Sequence, residues 1–171
     1  MENSYRRVVT TRNADGKSVV AQDTRIESGP LQNVDFWKTS SVPASLTEDG
    51  DAVVSPNYLV PPEEGTSFTF FEIPPQNPNL SPEQAEQVAA AAFAAAGAEQ
   101  YRVDTRRNPM MHTTPTIDYV VLLRGEVTML LDEEEVPLKP FDTVVQRATN
   151  HTWINHGDQP ALFMSVLLSA K

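Results

Sequence analysis

Cysteine is absent from the 171 residues of this chain. Its absence excludes disulfides, a thiolate nucleophile, and zinc or iron–sulfur sites built on thiolates. Long apolar runs are also missing, since no stretch approaches the roughly 20 apolar residues of a membrane-spanning helix. The first residues lack the apolar segment of a secretory signal. We therefore expect a cytoplasmic protein with no membrane partner.

Positive charge is scarce. The chain has 13 Lys and Arg residues against 23 Asp and Glu, which gives a net charge of −10. Nucleic acids need a concentrated positive field for phosphate binding, so we expect no nucleic-acid partner. The chain also lacks a Gly-rich phosphate loop, a Gly-x-Ser-x-Gly elbow and a His-Glu-x-x-His motif, so nucleotide-dependent and serine-hydrolase mechanisms have no support.

The length suits one domain with a single core, and no internal repeat is visible. We predict one domain over 1–171, with N-terminal strands and a loop in 1–75, a helix in 81–97, and the chemically informative half in 101–171. Ser81 is a natural N-cap, Pro82 suits the first helical position, and Gly97 suits a C-cap. The alanine-rich body between them is most simply a packing element, and the alternative is a lid.

Short segments rich in Val, Thr and aromatic residues alternate with turn residues, which predicts strands. These segments are 5–12, 18–27, 34–42, 67–73, 118–123, 126–131, 143–147, 151–155 and 161–168. The dipeptide Arg124-Gly125 predicts a tight hairpin, 132–135 an acidic turn, and 43–65 a long loop. The fold class is therefore all-β, an antiparallel sandwich or barrel with one helix.

Histidines are few, and two of the three fall beside strand starts. Residues 112, 114 and 118 share parity, as do 151, 153 and 155, so each set would face one side of a regular strand. The two frames run from His112 through Asp118 to Gly125, and from Pro140-Phe141-Asp142 through His151 to Asn155. In both stretches the sequence resembles the cupin family, specifically small single-domain cupins. The resemblance implies a jelly-roll β-barrel.

The resemblance also implies a site, with two departures from the family pattern. Thr114 stands where the family has a second metal histidine, and Asp118 replaces a longer glutamate. The potential metal ligands that remain are His112, Asp118 and His151, which would suit a divalent iron, manganese, nickel or zinc ion. The same three residues can act without any cofactor, because a carboxylate facing an imidazole raises the imidazole pKa toward neutrality.

Without a metal, we expect His112, Asp118 and His151 to act as catalytic acid–base groups on a hydrophobic, oxygenated small molecule. The reaction would be that of a lyase, dehydratase or cyclase. Residues expected to line the substrate site are Thr114, Tyr119, Gln146, Trp153, Asn155 and Arg102. Each of these residues could instead have a structural role. The histidines could be satisfied core residues, and Asp118 could cap a turn or pair with Arg147. Arg102 could pair with acidic residues on the surface.

Two other functions stay open. One is a metal-dependent cupin dioxygenase that uses His112, Asp118 and His151 as ligands. The other is a cupin that binds a small ligand without catalysis. The resemblance further implies a homodimer in which barrels pair through strand 5–12.

Overall fold

The computed structural model describes residues 4–28, 33–46 and 59–171. In these ranges the strands are β1 (Ser4–Arg12), β2 (Ser18–Glu27), β3 (Asn33–Thr39), β4 (Thr66–Ile73), β5 (Thr116–Arg124), β6 (Val127–Leu131), β7 (Glu135–Leu138), β8 (Thr143–Arg147), β9 (His151–Ile154) and β10 (Ala161–Ser169). Helix α1 spans Pro82–Ala95, and a 3₁₀ turn follows at Glu99–Tyr101. The all-β prediction is confirmed. None of the described helices is long and apolar enough to cross a membrane.

Within the described ranges all strand pairs are antiparallel, and they form three sheets. The hairpin β1–β2 is a sheet of its own, the five-stranded sheet has the order β3-β4-β10-β5-β8, and the three-stranded sheet has the order β7-β6-β9. Side chains from the two larger sheets meet in one hydrophobic cluster, which includes Leu122, Met129 and Phe163. The fold is thus two sheets with their inner faces packed on a shared core.

The predicted hairpin at Arg124-Gly125 is wrong. β5 pairs with β10 and β8, whereas β6 pairs with β7 and β9, so the chain changes sheets at this turn. Gly125 has φ +91°, and a Cβ built there would lie 2.9 Å from the Cβ of Ala161. The chain does turn tightly at Gly125. Because Gly125 packs closely on Ala161 of β10, however, this turn leads from one sheet to the other and does not join two paired strands. β7, which begins within the predicted acidic turn, is an additional strand.

The helix begins and ends where the sequence indicates. The Ser81 hydroxyl accepts a hydrogen bond from the Gln84 amide, while the Gln84 side chain accepts one from the Ser81 amide, which completes a capping box. Pro82 occupies the first turn, and Gly97 follows the last turn with φ +62°. Part of the predicted loop 43–65, namely 47–58, lies outside the described residues.

Candidate functional site

The two histidines of the predicted site meet in an isolated antiparallel bridge at the beginning of β9. The amide of His112 donates to the carbonyl of His151 at 3.1 Å, and the reverse bond measures 3.0 Å. Directly opposed residues place their side chains on the same face. The ring centroids accordingly lie 4.5 Å apart, with the planes inclined at 47°.

Each ring has one nitrogen bound to a backbone carbonyl. Nδ1 of His112 lies 3.0 Å from the Met110 carbonyl, and Nδ1 of His151 lies 2.9 Å from that of Thr149. Because a carbonyl oxygen only accepts, Nδ1 carries the proton in both rings. A neutral imidazole then leaves Nε2 as an acceptor, the form that suits a base or a ligand.

The expectation that a carboxylate raises the imidazole pKa is wrong for this arrangement. Burial lowers the pKa of His112 from its ordinary value. Burial, followed by repulsion from His112, lowers the pKa of His151 to about 3. A low-dielectric site disfavours the charged imidazolium, and a second imidazolium nearby would repel it. Both rings are therefore neutral near pH 7.

An unbroken row of rings connects the helix to the hydrophobic core through the histidine pair. Phe93 of α1 lies 5.3 Å from His112, and Trp153 lies 5.6 Å from His151, both in edge-on orientations. Trp153 in turn lies 4.9 Å from Phe163 of the core. The helix thus covers the His112 side of the pair, and Trp153 forms its apolar wall.

Asp118 lies on the inner face of the five-stranded sheet, with Thr114 and Thr116 beside it. The carboxyl group is buried, and its Oδ1 has no hydrogen-bond partner. Thr116 forms a side-chain hydrogen bond with Asp118, and its hydroxyl lies 2.7 Å from that of Thr114. Since the Thr116 proton goes to the carboxylate, Thr114 is the donor of the bond between the hydroxyls. The three residues form a short hydroxyl–carboxyl chain.

The pKa of Asp118 rises to about 6, because burial disfavours the carboxylate more than the Thr116 hydrogen bond favours it. This pKa is close to pH 7, in the range that suits a general acid or base. Asp118 is therefore a group able to take up and release a proton near pH 7.

The predicted three-ligand metal centre is not assembled. Across 4–28, 33–46 and 59–171, no group of three or more His, Asp or Glu side chains is arranged to hold a metal ion. The register explains this result, because Asp118 is opposite Gln146 in the five-stranded sheet, whereas His151 is opposite Leu131 in the three-stranded sheet. The shortened side chain of an aspartate adds no reach. The donors as placed do not fit a metal ion.

Two further predicted residues are buried near the site, with their amides engaged by backbone. The Gln146 amide nitrogen donates to the Thr149 carbonyl at 2.8 Å. The Asn155 amide nitrogen donates to the carbonyls of Ile73 and Gln159, and its oxygen accepts from Gly157. Asn155 thus closes the turn after β9. Substrate contact by either residue stays a prediction.

Tyr119 and Arg102 are placed outside the inner face. Tyr119 follows Asp118 on β5, is 48% exposed, and therefore faces the opposite side of the sheet. The guanidinium of Arg102 is paired with Glu86 at 2.8 Å, donates to the Pro109 carbonyl and stacks over Phe93 at 5.6 Å. Arg102 thereby fixes α1 against the segment that precedes His112.

Sequence reasoning missed Thr116, although its parity with Thr114 and Asp118 was a usable signal. It also missed the buried polar residues of β3, which are Asn33, Asp35 and Lys38. No spacing rule indicates these, because their common orientation depends on an irregularity in the strand.

Comparison with known proteins identifies a domain in the C-terminal half of the chain. A family model described as a cupin domain matches residues 99–167. Phomopsin biosynthesis cluster protein D of Diaporthe leptostromiformis is 32% identical over 122 residues, which cover 70% of this chain and 50% of that protein. A cupin-domain-containing oxidoreductase of Aspergillus ruber is 42% identical over 62 residues, 34% of this chain and 30% of that protein. The chain spans half or less of these relatives' length.

Among solved structures, the cupin domain of Schizosaccharomyces pombe Cnp3 aligns with a TM-score of 0.45 at 9% identity, covering 96% of this chain and 87% of that one. A putative ethanolamine utilization protein Q from Salmonella typhimurium aligns with a TM-score of 0.42 at 8% identity, covering 99% of both chains. The family match itself includes both motif segments and the strands from β5 into β10. Residues 99–167 therefore form a cupin domain.

Proposed function

We propose that this protein is a small-molecule enzyme that transfers protons at a carbon next to a carbonyl group, as a dehydratase, lyase or cyclase. One observation carries the proposal: the buried carboxyl group of Asp118 has an unpartnered Oδ1 and a pKa of about 6. An unsatisfied buried acceptor costs roughly 1–3 kcal/mol, and such a cost is typical of groups kept for binding or catalysis.

A dehydration illustrates the chemistry. The Asp118 carboxylate takes a proton from the carbon between a carbonyl and a hydroxyl-bearing carbon, and the electron pair of that bond moves to the carbonyl oxygen as an enolate. The enolate collapses, a carbon–carbon double bond forms, and the hydroxyl leaves as water with the proton that Asp118 returns. The carboxylate is regenerated, so the reaction needs no oxidant or reductant.

The other residues have supporting roles in this proposal. Thr116 and Thr114 hold the carboxyl group in place and moderate its basicity. The neutral rings of His112 and His151 present Nε2 acceptors to a substrate hydroxyl, and Trp153 provides an apolar surface. This combination favours a hydrophobic, oxygenated substrate. The relatives described as biosynthesis cluster proteins are consistent with a role in making such molecules.

The test measures proton abstraction directly. The protein is incubated in D2O with 4-hydroxy-4-phenylbutan-2-one, an aromatic β-hydroxy ketone, while NMR follows deuterium uptake next to the carbonyl and absorbance follows the enone. We expect Asp118→Asn to lower both rates about 10²- to 10⁴-fold, the usual contribution of one acid–base group.

The matched control is Asp158→Asn, the same chemical change at an exposed turn position. It should leave both rates unchanged. Rates in the folded Asp118→Asn protein equal to those of the unchanged protein would refute the proposal. Binding of the ketone without any exchange would instead support a non-catalytic ligand-binding cupin.

A second candidate, an oxidoreductase, is favoured by relatives described as cupin-domain-containing oxidoreductases. Elemental analysis of protein purified without chelator, combined with oxygen uptake, separates the two. A stoichiometric transition metal together with oxygen consumption supports the second candidate only.

A further inference from the structure

The strand β3 carries polar residues on a face where a sheet normally presents apolar ones. Its register against β4 shifts between Asp35 and Trp37, so Phe36 is the additional residue of a bulge. Because of the bulge, Asp35 and Lys38 are opposite Thr69 and Ser67 respectively. Residues that oppose each other share a face, so the two ionic side chains point the same way despite their odd separation.

That face is the interior. Thr69 hydrogen-bonds the hydroxyl of Ser165 at 3.0 Å, and Ser165 is opposite Val120 of the hydrophobic cluster. Asn33, two residues before Asp35, is opposite Phe71, and the ring of Phe71 stacks on Phe163 of the core. The bulge residue Phe36 instead packs on Phe68 and Phe70 at the outer face.

The polar residues are almost completely buried. Asn33, Asp35 and Lys38 are 8%, 5% and 1% exposed. The Lys38 ammonium lies 2.8 Å from Oδ2 of Asp35, so the ion pair has no net charge. Burial still raises the pKa of Asp35, although Lys38 opposes the shift. A buried ion pair seldom adds stability over an apolar pair, which makes a structural role a weak explanation for it.

Several of these buried atoms have no hydrogen-bond partner. Neither the nitrogen nor the oxygen of the Asn33 amide has one, and apart from the Lys38 ion pair neither oxygen of Asp35 accepts a hydrogen bond. Because Lys38 already pairs with Oδ2 of Asp35, the acceptors that remain are Oδ1 of Asn33 and Oδ1 of Asp35. A ligand that satisfies these two acceptors must offer O–H or N–H donors, and a charged ligand group would disturb an already neutral ion pair.

We propose that Asn33 and Asp35 form a polar subsite inside the barrel that binds the uncharged, donor-bearing end of the substrate, a hydroxyl or an amide N–H. Lys38 acts as a positioning residue that keeps Asp35 ionised and fixed. The proposal that this subsite binds a ligand is independent of the proposed function, and only the identification of that ligand as the substrate rests on it.

The subsite and Asp118 share the inner face of one sheet. Lys38, Ser67, Leu167 and Asp118 occupy one row across β3, β4, β10 and β5. Three strand spacings separate the ends of the row, about 14 Å measured along the sheet. An elongated substrate with its donor end at Asn33 would extend along this face toward the carboxyl group that moves the proton.

The test uses resorcinol, a neutral aromatic diol, and 1,3-dimethoxybenzene, which has the same ring without donors. Calorimetric titration compares the unchanged protein with Asn33→Leu, which removes both polar atoms at similar volume. We expect resorcinol to bind Asn33→Leu at least tenfold more weakly than the unchanged protein. We also expect dimethoxybenzene to bind both proteins equally, and the melting temperature of the variant to stay the same or rise.

The control for a general effect of the substitution is Asn79→Leu at an exposed position, which should leave resorcinol binding unchanged. A structural role for Asn33 predicts the opposite pattern, a lower melting temperature with unchanged resorcinol affinity, and that pattern overturns the proposal. Failure of the unchanged protein to bind resorcinol also overturns it.

The two proposals fail separately. Loss of resorcinol binding in Asn33→Leu, with deuterium exchange retained in Asp118→Asn, removes the proton-transfer proposal and leaves the subsite. The reverse pair of results removes the subsite and leaves the proton transfer.

Discussion

The rings of His112 and His151 face each other at 4.5 Å between centroids, and each holds its Nδ1 proton on a backbone carbonyl. The backbone bridge that joins the two residues forces this proximity. Burial keeps the His112 ring uncharged near pH 7, and burial together with repulsion from His112 keeps the His151 ring uncharged. In the proposed function Asp118 transfers the proton, because its buried carboxyl group has a pKa of about 6.

The depressed pKa of His151 should make the protein sensitive to acid. Its folded pKa of about 3 lies below the ordinary value of 6.5, so its contribution to stability is complete above pH 6.5 and is lost as the pH falls toward 3. Between pH 7.5 and 5, the stability advantage of the unchanged protein over His151→Gln should shrink by about 2 kcal/mol. Urea unfolding at several pH values measures it.

The same comparison for His156→Gln, which replaces an exposed histidine, supplies the control. A constant difference between the unchanged protein and His151→Gln would mean that His151 is not desolvated in solution.

Asp118 should show the opposite sign. Because its folded pKa is raised from 3.8 to about 6, its contribution is complete below pH 3.8 and is lost as the pH rises through 6. Relative to Asp118→Asn, the unchanged protein should lose about 2 kcal/mol of unfolding free energy between pH 4 and 8. Chemical unfolding measures this loss, with Asp158→Asn at an exposed position as the control. If Asp118→Asn were less stable than the unchanged protein at pH 8, the ionised Asp118 would not be destabilising the folded state, and the prediction would be contradicted.

The hydroxyl chain should control the basicity of Asp118. Thr116→Val removes the hydrogen bond that favours the carboxylate, so the pKa of Asp118 should rise above its value of about 6. NMR titration of carbon-labelled aspartate measures the shift. Thr143→Val, at an exposed position of β8, is the control. An unchanged or lower pKa in Thr116→Val would show that the hydroxyl does not donate to the carboxylate.

The homodimer implied by the family resemblance gives a fourth prediction. Val8 of β1 and Val20 of β2 are 47% and 59% exposed, although Tyr5 anchors the hairpin on Phe36 and Phe70. We expect light scattering to show a dimer that becomes a monomer when Val8 and Val20 are both replaced by Lys, because burying ammonium groups is costly. Val103→Lys, at a 75% exposed position, should leave the dimer intact. A monomeric unchanged protein contradicts the prediction.

The sequence alone was sufficient to predict features that depend on residues close together in the chain. Ser81, Pro82 and Gly97 mark the ends of α1 through capping chemistry that depends on near neighbours. The motif frames also predicted that His112 and His151 belong together, and the bridge between them joins the two.

Sequence reasoning failed where the outcome depends on which strands pair. The alternation in β5 and β6 fits a hairpin as well as a corner, and only the packing of Gly125 on Ala161 decides between them. The direction of the histidine pKa shifts likewise depends on burial and on which charged groups lie nearby, and both are known only from the folded structure.

Gly125 provides the last prediction, because the chain contains a matched control for it. Gly125 and Gly16 both have positive φ, +91° and +74°, so a Cβ strains the backbone at either position. A Cβ at Gly16 meets nothing within 4 Å, whereas one at Gly125 would lie 2.9 Å from the Cβ of Ala161 and 3.0 Å from its Cα. Gly16→Ala should therefore cost about 1 kcal/mol of unfolding free energy.

Gly125→Ala should cost roughly 1–3 kcal/mol more than Gly16→Ala, since the neighbouring atoms belong to a buried strand that cannot move freely. Urea unfolding of the two variants measures the difference. Adding a Cβ affects both glycines through the same backbone strain, so the difference between them isolates the contact with β10. Equal costs would mean that the corner between the two sheets is not closely packed at Ala161, and the assignment of β5 and β6 to separate sheets would lose its physical explanation.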